Sequence, residues 1–147
     1  AGNIGYPLSS AAMLAKPEDV VVAEVSSFQL ETMVTFRPKV SAVLNITPDH
    51  LDRHGTMENY IELKKSITKN QTAEDFCVLN YDDEVLREFG KSLACKVLFF
   101  SAKEELTDGL FYKNGTVYKA ENGTAAPLCR SGCWQRTGRS LRRWAPR

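Results

Sequence analysis

Four apolar runs rich in β-branched residues, at 20–25, 40–46, 76–80 and 96–100, constrain the fold of this chain more than any other feature. Each run is nearly continuous rather than alternating, the pattern of strands covered on both faces by helices. Segments 7–15 and 82–91 have helical character. Pro7 suits a first turn, and the second segment opens on acidic residues and closes on Lys91, which complements the helix dipole. Strand and helix alternate, so the chain is expected to form an α/β layer with a largely parallel sheet. Such sheets bind ligands outside the carboxyl ends of their strands, which directs attention to the residues just after each run.

The chain has 147 residues and is 43% hydrophobic, enough for one domain with a real core. Its formal net charge of +1 hides an uneven distribution. Residues 128–147 hold six Arg and no Lys, Asp or Glu, while residues 1–127 carry 13 basic and 18 acidic side chains, a net charge of -5. An acidic body makes nucleic acid an unlikely partner for it. Cys77 and Cys95 lie inside apolar runs and read as small core residues of a reducing compartment, so a cytoplasmic protein is expected. No apolar stretch approaches 18 residues, and no membrane partner is expected.

Around Asn114-Gly115 two short aromatic and β-branched segments predict a type I′ hairpin, a small antiparallel excursion from the sheet. Beyond residue 127 the sequence changes character and includes both Trp residues. Three readings of this irregular basic tail stand: an Arg/Trp arm for RNA or membrane surfaces, a metal site on Cys129 and Cys133, or a disordered or frame-shifted end. The abrupt loss of every acidic residue favours the last.

Three segments carry residues suited to chemistry. E-V-S-S-F-Q-L-E, from Glu24 to Glu31, puts a carboxylate and two hydroxyls where an apolar run ends, although Ala or Val would continue the run at lower desolvation cost. N-I-T-P-D-H-L-D-R-H-G-T, from Asn45 to Thr56, presents Asp49, His50, Asp52 and His54 beyond a second run. If the two runs are neighbouring parallel strands, Glu24 and His50 reach one cation, and oxygen plus imidazole donors suit Mg²⁺ or Mn²⁺. Turns rich in Asp and His are also common at solvated loops. The third segment, 56–68, reads as a helix capped by Thr56 with Met57, Tyr60, Ile61 and Ile67 on its inward stripe. Lys64 falls on that stripe, where its ammonium either snorkels to solvent or is paired or chemically changed.

Together these segments closely resemble the Mur ligases of peptidoglycan synthesis. D-H-L-D-R-H-G-T-M-E-N-Y is similar to several branches of that family. S-S-F-Q-L-E, the opening A-G-N-I-G and V-L-N-Y-D-D at 78–83 are more similar to its D-glutamate-adding branch. The resemblance implies an incomplete central, ATP-binding domain over residues 1–127, followed by the tail at 128–147. It implies a reaction in which ATP phosphorylates the carboxylate of UDP-N-acetylmuramoyl-L-alanine and the amine of D-glutamate attacks the acyl phosphate. The cofactors would be ATP and two Mg²⁺ ions, in an enzyme that is monomeric when complete. By motif, Asn3 resembles a contact to the UDP-sugar substrate, Glu24 a magnesium ligand, and Ser26 a hydroxyl that helps place it. His50 resembles the imidazole ligand near the reacting carboxylate, and Lys64 the lysine that is carbamylated to hold magnesium. Asn80 and Asp83 resemble the edge of the nucleotide site.

The family's G-x-x-G-K-[ST] phosphate loop does not occur in this sequence. Neither do the family's amino-terminal and carboxy-terminal domains, so the isolated chain is expected to be catalytically incomplete. Two alternatives differ in class or branch. Another Mur-type or folylpolyglutamate ligase is disfavoured by Phe28, where a histidine is expected for the branch adding diaminopimelate or lysine. A nucleic-acid-binding module would depend on the basic tail and show steep salt dependence.

Overall fold

The computed structural model describes residues 1–130, which form two compact units. One comprises residues 1–38 and 48–70, the other residues 39–47 and those from 71 onward.

The second unit is built on a six-stranded sheet: β1 (Val40–Val43), β2 (Phe76–Asn80), β3 (Lys96–Ser101), β4 (Gly109–Lys113), β5 (Thr116–Glu121) and β6 (Thr124–Arg130). Spatial order follows chain order. β1 to β4 pair in parallel, and β4, β5 and β6 pair antiparallel. The expected α/β layer with a mostly parallel sheet and a hairpin excursion is therefore the observed fold. The run at 76–80 matches β2 at both ends, and the one at 96–100 gains only Ser101. β1 stops at Val43, three residues short of the expected end.

Burial in β1 and β2 alternates, with Ser41, Val43, Cys77 and Leu79 inward. Cys77 and Leu79 are fully buried, and burial of the leucine side chain contributes about 1.5–3 kcal/mol. Helix α5, Glu84–Gly90 in the chain-order numbering of all helices, packs against β2 through the fully buried Leu86. Gly90 closes it because a Cβ there would lie 2.6 Å from the Phe99 ring. Asp83 caps this helix, as the acidic opening of the segment suggested.

Asn114 and Gly115 take φ of 48° and 77°, the left-handed pair of a type I′ turn. Asn122 and Gly123 repeat it at 51° and 77° and turn β5 into β6. That second Asn-Gly pair was the signal for a strand the sequence analysis did not anticipate. β6 extends through Arg130, into the segment expected to be irregular. Pro127 is accommodated because β6 is an edge strand. The tail beyond Arg130, including Cys133 and the Trp residues, lies outside the described residues.

The first unit holds α1 (Leu8–Leu14), α2 (Ser27–Glu31), α3 (Leu51–His54) and α4 (Met57–Lys65), the last continued by a 3-10 turn at Ser66–Thr68. α1 starts after Pro7, and α4 is capped by Thr56, both as anticipated. The short helices α2 and α3 were not. One expectation fails outright: residues 20–25 are not a strand. Glu24 makes a single parallel bridge to Gly2, and the flanking bonds run from the Ala1 amine to the Val22 carbonyl and from the Glu24 amide to the Ala1 carbonyl. A β-branched run becomes a strand only where a partner offers a ladder of donors and acceptors, and here the partner is residues 1–3.

Candidate functional site

The opening A-G-N folds onto Glu24. The Asn3 amide donates to the Glu24 carbonyl at 2.7 Å, and its side-chain Nδ2 donates to Glu24 Oε1 at 3.1 Å. Gly2 makes this approach possible at φ 106°, since a Cβ would collide with the Glu24 carbonyl. Two residues with predicted roles, Asn3 and Glu24, are thus brought together by the bridge that replaces the expected strand.

Two residues on, the hydroxyls of S-S-F-Q serve different ends. Ser26 is the N-cap of α2 in a reciprocal capping box: its Oγ accepts from the Gln29 amide, and Gln29 Oε1 accepts from the Ser26 amide at 2.8 Å. Ser27 turns inward, and its Oγ lies 3.1 Å from His54 Nε2. The polar residues after the apolar run thus start a helix and grip a histidine.

His54 is the residue whose role went unassigned in the sequence. Its side chain is only 4% exposed, at the end of α3. Besides Ser27 on Nε2, Glu31 Oε1 lies 3.6 Å from Nδ1. Arg53 holds that carboxylate by two bonds, Nη2 to Oε2 at 2.7 Å and Nε to Oε1 at 3.3 Å. The Arg53 hydrogen bonds hold the Glu31 carboxyl below its usual range. The signal was present in the sequence as Glu31 and Arg53, but only the fold pairs them.

His50 heads α3 in the left-handed region, φ 50° and ψ 33°, a conformation that costs a non-glycine residue about 1–2 kcal/mol. Its imidazole is half exposed, with Nε2 3.4 Å from Asp49 Oδ2 and the ring 4.9 Å from that of Phe28. Lys64 is half-buried, between the buried Tyr60 and Ile67 in sequence. Its Nζ sits over the Tyr60 ring, 4.7 Å from the centroid.

Asn80 and Asp83 belong to the sheet-bearing unit. Asn80 Nδ2 donates to the Leu44 carbonyl at 3.0 Å, and its Oδ1 accepts from the Asp82 amide. Asp83 Oδ2 accepts from the Ile46 amide at 2.9 Å, while Oδ1 caps α5. These side chains brace the backbone that leaves β1 on either side of Asn45.

The premise that placed Glu24 and His50 on adjacent strands does not hold, because β1 pairs with β2 and residues 20–25 form no strand. Glu24 is bonded to residues 1–3, whereas the His50 ring meets Phe28 and the Lys64 ammonium meets Tyr60. Among the described residues no three His, Cys, Asp or Glu side chains form a metal cage. A zinc-type centre therefore has no ligand set there. Mg²⁺ makes a different demand: it keeps several waters and takes one or two carboxylates together with substrate phosphates. Glu24 offers such an ion an exposed carboxylate, and His50 carries a half-exposed imidazole.

Residues 2–136 match the family model described as Mur ligase middle domain. A UDP-N-acetylmuramoylalanine--D-glutamate ligase of Thermoanaerobacter sp. (strain X514) is 51% identical over 128 residues, which is 87% of this chain and 28% of that protein. The enzyme of the same name from Caldanaerobacter subterraneus subsp. tengcongensis is 54% identical over 118 residues, 80% of this chain and 26% of that protein. The solved MurF ligase from Thermotoga maritima in complex with ADP is 26% identical with a TM-score of 0.43, covering 69% of this chain and 28% of that one. The chain spans little more than a quarter of the length of the relatives it matches, 28% and 26% in these two.

Proposed function

The chain belongs to the Mur ligase family, through its middle domain, and on that premise we propose that it is the central part of an ATP-dependent ligase adding D-glutamate to UDP-N-acetylmuramoyl-L-alanine. The observation that carries this reading is the bond between Asn3 and Glu24, with His50 and Lys64 in the same compact unit, each on a motif through which the chain resembles the family.

In this reading Glu24 and His50 would hold Mg²⁺, and Lys64 would join them once its neutral amine has added CO₂ and released a proton to become a carbamate anion. When bound, Mg²⁺ neutralises charge on transferring phosphoryl oxygens. Asn3 fixes the orientation of the Glu24 carboxylate by donating to one of its oxygens. The Ser26 cap sets where α2 begins and so fixes the backbone just after Glu24. Asn80 and Asp83 shape the loop after β1 at the nucleotide's edge, through the Leu44 and Ile46 backbone. Amine attack on an acyl phosphate then needs alignment more than a strong base, which suits a site whose side chains are held by packing and short hydrogen bonds.

The chain lacks the G-x-x-G-K-[ST] loop, and we expect it to release no phosphate from ATP by itself. The test is to graft residues 2–127 in place of the corresponding segment of the Thermoanaerobacter relative and assay ATP-dependent amide formation with D-glutamate. Turnover that is lost on Lys64→Ala supports the reading. A folded graft that binds ATP but forms no amide, or one indifferent to Lys64, overturns it.

A further inference from the structure

Five side chains of the first unit form a continuous chain of ring contacts. The His50 ring lies 4.9 Å from Phe28, Phe28 lies 5.4 Å from His54, and His54 lies 5.5 Å from Tyr60. The Lys64 ammonium then sits 4.7 Å from the Tyr60 centroid. The two inner contacts are near-parallel stacks, at 26° and 30°. His54 stands at the middle, and it is the member fixed by hydrogen bonding, through Ser27 on one ring nitrogen and the Arg53-held Glu31 beside the other.

We propose that His54 is a positioning residue that sets the spacing between His50 and Lys64 by holding Phe28 and Tyr60 against its ring. The inference rests on the reading of His50 and Lys64 as the groups that face the divalent ion. It adds that the distance between them is set by a buried third residue with no contact to the ion.

His50 stands on a strained left-handed residue of a four-residue helix, and Lys64 is a long side chain near the end of α4. A half-exposed side chain such as His50 on so short a helix gains order from the ring packed against it. An aromatic ring stacked against two others does fix such a side chain, and these contacts reach both tips. The anchor lies on α2, since Ser27, Phe28 and Glu31 all belong to it. The helix that follows Glu24 therefore grips the pair formed by His50 and Lys64 through one imidazole.

The experiment uses the 147-residue chain and three variants. His54→Phe keeps the ring and loses the polar bonds, His54→Gln keeps a polar side chain and loses the ring, and His54→Ala loses both. Two readouts are taken: Mn²⁺ affinity by electron paramagnetic resonance of the free ion, and the ring-current shifts of the Lys64 ε-methylene and His50 ring protons by NMR. For removal of a group that orients metal ligands, His54→Ala and His54→Gln should weaken Mn²⁺ about 10- to 100-fold. Both should also move the Lys64 and His50 shifts toward their values in the unfolded chain. His54→Phe should retain the shifts and bind within about threefold of the unaltered chain, well short of that outer-shell loss.

Unchanged shifts in folded His54→Gln overturn the inference whatever the metal does. Loss of affinity in His54→Phe equal to that in His54→Gln also overturns it, since the polar bonds rather than the stack would then be responsible. Should His54→Ala fail to fold, the contrast between Phe and Gln decides. Failure of the unaltered chain to bind Mn²⁺, with the shifts behaving as expected, instead overturns the reading of Glu24, His50 and Lys64 as a metal site.

Discussion

In the unit built on the sheet, Cys77, Leu79 and Leu86 are fully buried and Phe111 and Ala120 nearly so. In the unit carrying Glu24, His50 and Lys64, the buried side chains include His54, Ser27 and Tyr60, while Met13, Val20 and Val22 stand 86%, 87% and 79% exposed. One unit is held by apolar burial on a hydrogen-bonded ladder. The other is held by caps, an isolated bridge, a bidentate ion pair and stacked rings. Apolar burial scales with area and tolerates many sequences, whereas polar and ring contacts depend on the identity of each partner. The motif residues of the candidate metal site fall in the second kind of structure, and local stability there is expected to be lower.

The contrast is most exposed to test at its two cores. Leu79→Ala in β2 should cost about 2–5 kcal/mol, as expected where a fully buried site cannot collapse. Leu30→Ala should fall at or below the low end of that range of about 2–5 kcal/mol, because Leu30 lines an open recess of about 220 Å³ with Leu8, Val25, Met33 and Phe36. Urea unfolding of both variants, followed by amide hydrogen exchange within each unit, measures the difference. Equal costs would remove the distinction.

A smaller effect sharpens it from the other side. Gly2→Ala places a methyl group against the Glu24 carbonyl and forces a left-handed φ on alanine, at a cost of about 1–3 kcal/mol. That cost should be confined to the first unit. The Asn3 and Glu24 amides should lose exchange protection while those of β2 keep theirs. Loss of protection throughout the sheet would show that the two units do not respond separately.

The smallest effect concerns the thiols. Burial pushes the Cys77 thiol up to about 11, against the lowering influence of its hydrogen bond with Ser41. The folded protein thus holds this proton more tightly than the unfolded chain does. The associated stability is complete below the ordinary thiol range and is lost as pH rises toward about 11. At pH 8, alkylation followed by peptide mapping should label the partly exposed Cys129 and spare Cys77 until denaturant is added. Rapid labelling of Cys77 in the native protein would show that the sheet unit opens more readily than its burial implies.

Legibility in the sequence followed the same division. β2, β3, the hairpin at Asn114-Gly115 and the Thr56 cap of α4 were all readable, because each rests on local propensity or a short repeat. β6 was missed although Asn122-Gly123 announced it, since the Arg-rich composition that follows masked the strand pattern. The run at 20–25 misled for a different reason. Its residues favour extended backbone, and the backbone of 22–24 is bonded to residues 1–3, but nothing within the run says whether a neighbouring strand will be there.

What the sequence determined by itself was the class of fold, the family, and which side chains carry oxygen, imidazole and amine donors after the apolar runs. These follow from periodicity, turn chemistry and motif, all of which act over a few residues. The tertiary structure decided which of those donors are organised together. Asn3 meets Glu24 across 21 residues, and Ser27 meets His54 across 27. His54 could be seen as one of two histidines in a polar loop, but its place at the centre of a ring stack could not. Contacts between segments far apart in the chain depend on how the elements pack, and packing is a property of the folded whole.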